Sequence, residues 1–489
     1  MTLRLRAELP ALQLDPKGEL PLYRQLYGQC REMILSGQLR ANAQLPSSRE
    51  LARSLRVSRN TVQNALEQLI AEGYLQGKVG AGTFVSELPG DLVKRRLSPG
   101  ETRPEPELSW EGQRALGYFA IPAPAQVLPF WSGVPALDKF PFSLWARLAA
   151  SQFRKLRPAE LLYADPAGHA SLREHIAQYL RESRAVRCEA DQILIVSGSQ
   201  QALYLIARVL LNRDDVVVLE EPGYPGARHA LAASGARLAA ATVDGEGLVV
   251  NASLPKNAKA VYVTPSHQAP LGVTMTLARR LKLLEWSART GAWIIEDDFD
   301  SEYRYTSRPL ASLQGLAEHD QVLYVGTFSK VLFPGLRIGY LVLPKSLVRS
   351  FRVNRQILDF CPPILDQAVL ARFLAEGHFA RHIRRMRRVH RERQTVMIAA
   401  LKKEFGDTLQ ITNTDSGLNL VVWLPSGISD VEAQHVAWKD GVFVFPMSTI
   451  FYTTPQTRSG LFLGFAGLSP AQIRAGARKL KLALAKLGL

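Results

Sequence analysis

The sequence predicts an α/β main domain with a mainly parallel sheet, preceded by a small helical domain that ends in a two-stranded hairpin. Three observations support this prediction. Over the later part of the chain, apolar runs of strand length alternate with helical stretches; the runs are ILIVSG, VVVLEEP, AVYVTP, AWIIEDD and QVLYVGT. Near the beginning, two short helices each start at a capping serine. A segment rich in proline and glycine separates the two regions.

Length and composition limit the class of protein. A chain of 489 residues is too long for one ordinary core, so two or three domains are expected. Hydrophobic residues make up 47% and charged residues 21%, which argues against extended disorder. The formal charge of +16 suits a polyanionic partner such as nucleic acid, although a charge that serves only solubility explains it as well.

The cysteines and the apolar runs indicate the cellular location of the protein. Three widely separated cysteines show neither CxxC spacing nor a disulfide framework. We find no apolar run of membrane-spanning length and no signal peptide pattern. The sequence therefore predicts a cytoplasmic protein with no membrane partner and no metal site.

The N-terminal region predicts three helices in sequence. Apolar residues recur with helical spacing between Leu20 and Gly37. In LPSSRELARSL, Ser47 and Glu50 form a capping box at the start of a second helix. Ser58 caps a third helix only a few residues after the second. Two helices joined by so short a turn form a helix-turn-helix, whose second helix presents its N-terminal residues to the DNA major groove.

Polar residues and a predicted wing favour DNA binding for this domain. Arg59, Asn60 and Gln63 on the third helix can hydrogen-bond to base edges and phosphates. The run YLQGKVGAGTFV predicts two short strands around a glycine-rich turn, a wing that carries Lys78. A three-helix packing module without DNA function is the alternative.

The motifs of this region resemble the GntR type of winged helix-turn-helix. The resemblance rests on LPS-R-E-L, on VSRNTV and on the glycine-rich wing. We therefore place a winged helix-turn-helix domain at residues 15–86 and a Pro-rich linker at residues 87–125. The predicted DNA contacts are Arg49, Ser58, Arg59, Asn60, Gln63, Lys78 and Gly80.

In the second domain, residues 126–489, distinctive residues follow the ends of strands, where ligands bind in α/β sheets. SGSQQAL leads from a strand into a helix whose free N–H groups can hold a phosphate. EEPGYPGAR places Tyr224 on a Pro/Gly turn, and EDDFD follows another strand. Each motif also has a purely structural interpretation, as a helix cap, a tight turn or a solvated strand end.

Together with Lys330 in TFSKVLFPGLRIGY, these strand ends supply what pyridoxal phosphate (PLP) requires. The cofactor needs a lysine that forms an imine with its aldehyde, a carboxylate beside the pyridine nitrogen, a flat surface for the ring and donors for the phosphate. The domain resembles a fold type I aminotransferase. The resemblance implies a mainly parallel seven-stranded sheet with helices on both faces, plus a small α+β subdomain.

The same resemblance implies a role for each residue of the predicted cofactor site. Lys330 would be the imine lysine, Asp297 the partner of the pyridinium nitrogen, and Tyr224 the residue that stacks on the ring. Tyr163 would reach the phosphate of the neighbouring subunit in a homodimer. The phosphate contacts within the subunit would be Ser199, Gln200, Thr327, Ser329 and Arg337.

The order of the two domains resembles MocR-type (GabR-like) transcriptional regulators. The run TPSHQAPLGVTM also resembles that group more than ordinary aminotransferases. This resemblance implies a regulator that binds PLP through Lys330 and senses the cofactor or an amine. Two DNA-binding domains per dimer imply a double-stranded operator with two half-sites. The alternative is a PLP-dependent aminotransferase with secondary DNA binding; a domain used only for dimerisation is disfavoured by the retained cofactor residues.

Three departures from the aminotransferase pattern argue against efficient turnover. Ala269 stands where an asparagine would contact the ring hydroxyl of the cofactor, and Phe299 stands where related regulators often have a tyrosine. Tyr303 or Tyr305 could substitute for that tyrosine. Phe462 occupies the register of the usual substrate-carboxylate arginine. We therefore expect a sensor rather than an enzyme, and leave residual transaminase activity open.

The run RHIRRMRRVHRER, residues 381–393, is the strongest local charge. It could form a second DNA-contacting surface. A solvated helix is the favoured interpretation, because Ile383, Met386 and Val389 or His390 have the spacing of a buried stripe.

Overall fold

The computed structural model of the protein describes residues 12–78, 81–88, 106–116, 127–305, 310–412, 415–453 and 458–489. The chain divides into two compact units, residues 1–115 and 116–489. Among the helices of the described residues, none is long and apolar enough to cross a membrane. The predicted DNA contact at Gly80 and most of the predicted linker lie outside the described residues.

The first unit contains the predicted helix-turn-helix and wing. Its elements are α1 (Leu22–Leu35), α2 (Ser48–Leu55), α3 (Arg59–Ala71), β1 (Leu75–Lys78), β2 (Gly82–Val85) and α4 (Trp110–Ala115). The capping box at α2 is present: Glu50 N donates to Ser47 Oγ at 3.3 Å, and Ser47 N donates to Glu50 Oε2 at 2.8 Å. Ser58 caps α3 by accepting a hydrogen bond from Thr61 N at 3.1 Å. β1 and β2 pair in antiparallel fashion as the wing.

The second unit is built on one large mixed sheet. Its strands are β3 (Ile193–Val196), β4 (Val216–Glu221), β5 (Arg237–Asp244), β6 (Gly247–Leu248), β7 (Ala258–Val263), β8 (Trp293–Asp297), β9 (Val322–Thr327) and β10 (Gly339–Val342). They lie in the order β3-β10-β9-β8-β7-β4-β5-β6. The five strand-like runs recognised in the sequence form β3, β4, β7, β8 and β9. The sheet has eight strands rather than seven, and the additional strand is the two-residue β6 at the edge.

Helices cover both faces of this sheet, as predicted. They are α5 (Phe142–Lys155), α6 (Ala170–Arg184), α7 (Ser199–Leu210), α8 (Pro225–Ala232), α9 (Leu277–Thr290), α10 (Leu313–Leu316), α11 (Val348–Asp359) and α12 (Leu365–Ala375). Successive side chains of a strand point to opposite faces. In β3, Ile193 and Ile195 pack into the core beneath α6, whereas Leu194 and Val196 pack into the core beneath α7. This burial on both faces explains why the strand reads as a continuous apolar run.

A smaller α+β subdomain completes the second unit. Its strands β11 (Gln410–Thr412), β12 (Asn419–Trp423), β13 (Phe445–Pro446) and β14 (Gly460–Gly464) pair in antiparallel fashion, and its helices are α13 (His378–Phe405), α14 (Asp430–Lys439) and α15 (Pro470–Ala485). The predicted buried stripe of the arginine-rich segment is confirmed, since Ile383, Met386 and His390 are buried on α13.

Candidate cofactor site and nucleic-acid interface

Strand direction brings the predicted cofactor residues to one edge of the large sheet. β4, β7, β8 and β9 are parallel, and β3 shares their direction because β10 runs antiparallel to both β3 and β9. The carboxyl ends of these strands therefore meet at the same edge. Asp297 ends β8, Thr327 ends β9, and Ser199 begins the helix that follows β3.

Lys330 is held by a glycine that is distant in sequence. Its Nζ donates to the carbonyl oxygen of Gly133 at 3.0 Å, and Gly133 N donates to Asn419 Oδ1 at 2.9 Å. Gly133 has φ 72°, and a Cβ atom there would lie 2.2 Å from Lys330 Nζ, so a side chain would displace the lysine. Burial lowers the pKa of Lys330, which favours the neutral amine that acts as a nucleophile.

Asp297 presents one oxygen that lacks a partner. The side chain is 3% exposed, and its Oδ2 accepts a hydrogen bond from the Tyr262 hydroxyl at 2.9 Å. Its Oδ1 has no hydrogen-bond partner among the described residues. Burial raises the pKa of Asp297 to about 7. A cationic N–H group at Oδ1 would satisfy this oxygen and hold the carboxylate in its charged form, so the position fits a pyridinium nitrogen.

The predicted phosphate residues surround the N-terminus of α7. Gly198 precedes the helix with φ 97°, and a Cβ atom there would lie 3.0 Å from Arg337 Nη2. The Arg337 side chain donates to the carbonyl oxygen of Ser197, and Ser329 N donates to Thr327 Oγ1 at 3.2 Å. Ser329 Oγ is buried without a hydrogen-bond partner in the described part of the chain. Free helix N–H groups, a guanidinium group and an unpaired hydroxyl are together a suitable phosphate cradle.

Tyr224 and Gln200 lie beside this cradle. Gln200 Nε2 donates to the carbonyl oxygen of Gly226 at 3.0 Å, and a Cβ atom at Gly226 would lie 2.4 Å from the Tyr224 ring. The missing side chain at Gly226 therefore leaves room for the tyrosine. The structure places eight of the nine predicted cofactor residues around one strand edge.

Tyr163 is the ninth, and it projects from the surface. Its side chain is 85% exposed, and its ring stacks on Phe360 with centroids 5.2 Å apart and planes at 28°. Asp165 anchors this loop through ion pairs with Arg352 at 2.8 Å and Arg173 at 3.3 Å. Among the described residues, no hydrogen bond connects Tyr163 to the other predicted cofactor residues.

The predicted DNA contacts lie on the surface of the first unit. The described members of this set are all exposed: Arg49, Ser58, Arg59, Asn60, Gln63 and Lys78. Arg59 begins α3, and its Nε donates weakly to Ser48 Oγ at 3.4 Å. Lys78 ends β1, with its Nζ 5.1 Å from the centre of the Phe84 ring. The Ser58 hydroxyl is already used in capping α3, so a DNA contact from it would be additional to that role.

Comparisons with known proteins agree with both halves. Residues 22–85 match the family model "Bacterial regulatory proteins, gntR family", and residues 126–480 match "Aminotransferase class I and II". The "Probable rhizopine catabolism regulatory protein MocR" of Rhizobium meliloti is 40% identical over 97% of this chain and 96% of its own length. The chain belongs to the MocR/GabR-type regulators. The "HTH-type transcriptional regulator TauR" of Rhodobacter capsulatus is 33% identical over 96% of this chain and 98% of its own length.

A solved structure similar to the second unit carries a cofactor derivative. It is LysN, the alpha-aminoadipate aminotransferase of Thermus thermophilus, complexed with N-(5'-phosphopyridoxyl)-L-leucine. The identity is 32%, the TM-score is 0.68, and the match covers 74% of this chain and 92% of the other. The second unit of this MocR/GabR-type chain thus has the aminotransferase fold type I, as the sequence predicted.

The structure shows that Tyr303 and Tyr305 do not replace the hydroxyl group that is missing at Phe299 in this regulator. The Phe299 ring packs edge-on against His267, with centroids 5.8 Å apart. Tyr303 is fully buried and donates its hydroxyl to the carbonyl oxygen of Val331 at 3.0 Å. The Tyr305 hydroxyl donates to the carbonyl oxygen of Gly417. Because both hydroxyl protons are used in main-chain contacts, neither tyrosine supplies the donor that Phe299 lacks.

The acidic residues of the run EDDFD make different contacts. Glu296 accepts hydrogen bonds from Leu313 N at 2.8 Å and Gln314 N at 2.9 Å, which caps α10. Asp298 forms a buried ion pair with Arg184 at 2.6 Å. Asp300 is 1% exposed, and neither of its carboxylate oxygens has a hydrogen-bond partner among the described residues.

Several residues of the site were not predicted from the sequence. They are Gly133, Tyr262, Asp300 and Asn419. Tyr262 could have been found from the sequence, because the alternation of side chains along AVYVTP indicates which face of the sheet its ring occupies. Gly133 lies 197 residues before Lys330 and 286 residues before Asn419, so only the fold brings these residues together.

The arginine-rich segment is only partly paired with acids. Arg393 binds Asp138 at 2.7 Å, and Arg387 donates to the carbonyl oxygen of Glu302. Its remaining side chains are largely solvated; the exposed arginines are Arg381, Arg384, Arg385, Arg388 and Arg391. Their exposure fits the solvated helix that the sequence favoured, and the segment stays outside the candidate sites.

Proposed function

We propose that the protein is a transcriptional regulator that binds operator DNA through residues 15–86 and binds PLP at Lys330 in residues 126–489. The aminotransferase-like domain would sense the cofactor or an amine ligand. The observation that carries the proposal is a pair of buried atoms at the same strand edge as Lys330, Asp297 Oδ1 and Ser329 Oγ, neither of which has a hydrogen-bond partner among the described residues. These atoms suit the two ends of one ligand, a ring nitrogen that carries a proton and a phosphate. A cytoplasmic location is part of the proposal.

PLP, when bound, supplies an aldehyde that condenses with primary amines. Lys330 would present a largely buried amine whose lowered pKa favours the reactive neutral form. Asp297 would keep a proton on the ring nitrogen, and Tyr262 would orient Asp297 through its hydrogen bond. The N-terminus of α7 and Arg337 would neutralise the phosphate charge.

A homodimer is supported by an exposed apolar surface around Tyr163. Leu162 is 72% exposed, Ile357 is 65% exposed and Phe360 is 58% exposed. Contiguous exposed apolar side chains mark interaction surfaces in soluble proteins. A second copy that covers them would bring Tyr163 to the site of its partner and would give two DNA-binding domains. Such a dimer would bind an operator with two half-sites.

Sensing is favoured over turnover by the side chains at three positions. Ala269 and Phe299 provide no polar group for the cofactor ring, and Phe462 lies in the middle of β14 between Val421 and Phe445. The arginine nearest to Phe462 in sequence is Arg458, and its guanidinium lies 4.9 Å from the centre of the Trp423 ring. A ligand that binds the two conformations of a regulator with different affinities shifts the balance between them.

The test is a binding titration of the full-length protein on DNA from upstream of its own gene. Fluorescence anisotropy would be measured without PLP, with PLP, and with PLP plus a panel of amines. We expect PLP or one amine to change DNA affinity in the native protein but not in Lys330→Ala. Multiple turnover with an oxo-acid acceptor, without any effect on DNA affinity, would favour the aminotransferase alternative.

A further inference from the structure

The turn that carries Lys330 also carries Ser329, whose buried hydroxyl group is a proposed phosphate contact. Two main-chain hydrogen bonds close this turn: Val331 N and Leu332 N both donate to the carbonyl oxygen of Phe328, at 3.2 and 2.8 Å. One tight turn therefore presents both the amine and the hydroxyl group. A shift of its backbone would displace both groups from a single ligand, so the position of the turn needs support from the rest of the fold.

The carbonyl oxygen of Val331, the residue directly after Lys330, is the point of support. The Tyr303 hydroxyl donates to it at 3.0 Å, and His382 Nε2 lies 3.1 Å from it. Because a carbonyl oxygen can only accept, Nε2 of His382 carries the proton in this contact. Tyr303 is 0% exposed and His382 is 5% exposed. A main-chain oxygen has two lone pairs, and here each of them has a buried donor.

The two donors are themselves held in place by neighbouring rings. The His382 ring packs edge-on against Phe140 and Phe373, with centroids 5.8 and 6.4 Å apart. The Tyr303 ring packs edge-on against His390, with centroids 4.5 Å apart. His382 and His390 both lie on the buried face of α13, the arginine-rich helix. Packed neighbours fix the direction of each donor, as a positioning contact requires.

The same helix supports the segment that holds the lysine nitrogen. His390 Nε2 accepts a hydrogen bond from Ala136 N at 3.2 Å. Ala136 lies shortly after Gly133, whose carbonyl oxygen accepts the hydrogen bond from Lys330 Nζ at 3.0 Å. The buried face of α13 therefore contacts the backbone next to Lys330 and also the segment that binds the nitrogen of its side chain.

We propose that His382 and Tyr303 are positioning residues for Lys330. Their two hydrogen bonds hold the main chain of the turn, so that Lys330 and Ser329 reach the same ligand. Burial lowers the pKa of His382 to about 4, so its ring is neutral at pH 7 and acts through its position rather than its charge. The inference rests on the proposed role of Lys330 in binding PLP, but the contacts to the turn exist with or without the cofactor.

The first experiment measures how fast PLP attaches to Lys330 in the full-length protein. The protein is freed of cofactor, saturating PLP is added, and the visible absorption of the lysine-bound cofactor is followed by stopped flow. Tyr303→Phe and His382→Phe each keep an aromatic ring but remove the donor. We expect each variant to attach PLP about two- to tenfold more slowly, since one neutral hydrogen bond changes a rate by that factor.

A double variant and a conservative variant identify the contact. When Tyr303→Phe and His382→Phe are combined, the Val331 carbonyl loses both donors, and attachment should slow by more than the product of the two single factors. In His382→Gln, the side-chain amide can donate from nearly the position of Nε2. The attachment rate should then return to within about twofold of the native rate.

Tyr179→Phe is the control for general damage, because it removes a partly buried hydroxyl group that donates to Glu302 at 3.1 Å. This variant should lower thermal stability but leave the attachment rate unchanged. A native attachment rate in folded His382→Phe, or an equal loss in Tyr179→Phe, would overturn the proposal.

Hydrogen exchange of the cofactor-free protein tests the turn without PLP. The amides of Val331 and Leu332 should exchange about two- to tenfold faster in the single variants, while those of β4 keep the native rate. Native amides of this turn that exchange as fast as an unstructured peptide would count against the contacts even if no variant folded. If the chain bound no PLP, the proposed function would fail, whereas the exchange rates would still decide whether His382 and Tyr303 hold the turn.

Discussion

Replacing Asp297 by asparagine tests the cofactor site directly. The amide has nearly the same shape as the carboxyl group and can still accept the Tyr262 hydroxyl proton, which now reaches Oδ2 at 2.9 Å. What it loses is the charge that would hold a pyridinium N–H at Oδ1, an oxygen with no hydrogen-bond partner in the described part of the chain. The variant therefore isolates one charge-assisted hydrogen bond in a buried setting.

The size of the effect follows from that single bond. Hydrogen bonds to charged groups contribute roughly 1.5–3 kcal/mol. Because 1.4 kcal/mol corresponds to a factor of ten in affinity, we expect PLP to bind about 10- to 150-fold more weakly to Asp297→Asn. Equilibrium dialysis of the full-length protein against PLP measures this change.

The stability of the cofactor-free protein should move the other way. Burial raises the pKa of Asp297 from 3.8 to about 7, so the ionised group destabilises the fold above pH 7. Asp297→Asn is then expected to melt at the same or a higher temperature at pH 8, which separates weaker PLP binding from misfolding. The control variant for PLP affinity is Glu302→Gln. It removes another buried carboxyl group, one that accepts a hydrogen bond from the Tyr179 hydroxyl at 3.1 Å, and should leave PLP affinity unchanged. Unchanged PLP affinity in Asp297→Asn would refute the assignment of the pyridinium partner.

Four further results are expected. Lys330→Ala should still bind PLP, but without the absorption of a lysine-bound cofactor, as spectroscopy can show. Arg59→Ala should weaken specific DNA binding by ~1–3 kcal/mol in fluorescence anisotropy if it reads a base. Ser47→Ala should destabilise the first unit by about 0.5–2 kcal/mol in thermal unfolding, because the α2 cap is lost. The cofactor-free protein should become more stable from pH 8 to about 6.5, since buried carboxyl groups such as Asp297 bind protons on folding. Between about pH 6.5 and pH 4, buried histidines such as His390, whose pKa burial lowers to about 3, should offset part of this gain.

Each of these results has a comparison that can contradict it. Lys345→Ala, at an exposed lysine outside the site, should leave the spectrum of bound PLP intact. Arg53→Ala, on the exposed side of α2, should change DNA affinity less than Arg59→Ala; equal losses would indicate a general charge effect. Ser36→Ala should cost less stability than Ser47→Ala, because the Ser36 hydroxyl donates to the carbonyl oxygen of Met33 and caps no N–H group at a helix start. A stability that is flat between pH 8 and pH 6.5 would contradict the raised carboxyl pKa values.

The features of this protein that depend on local chemistry could be predicted from its amino acids alone. The caps at Ser47 and Ser58 are satisfied within three residues, so they are visible in the sequence. Apolar runs identified five strands, and residues that follow parallel strands meet at one edge whatever the details of packing. Lys330, Asp297 and the start of α7 could therefore be assigned together.

The contacts between distant groups at that edge become visible only in the folded chain. Gly133 holds Lys330, Tyr262 holds Asp297, and Asp300 is buried without a hydrogen-bond partner in the described residues. The folded chain also shows that Tyr303 donates its hydroxyl elsewhere, although its sequence position suggested a substitute for Phe299. Such outcomes depend on side-chain direction and on contacts across hundreds of residues, and sequence spacing encodes neither. The motifs thus predict the ligand of the strand edge, while the fold determines which distant side chains surround that ligand site.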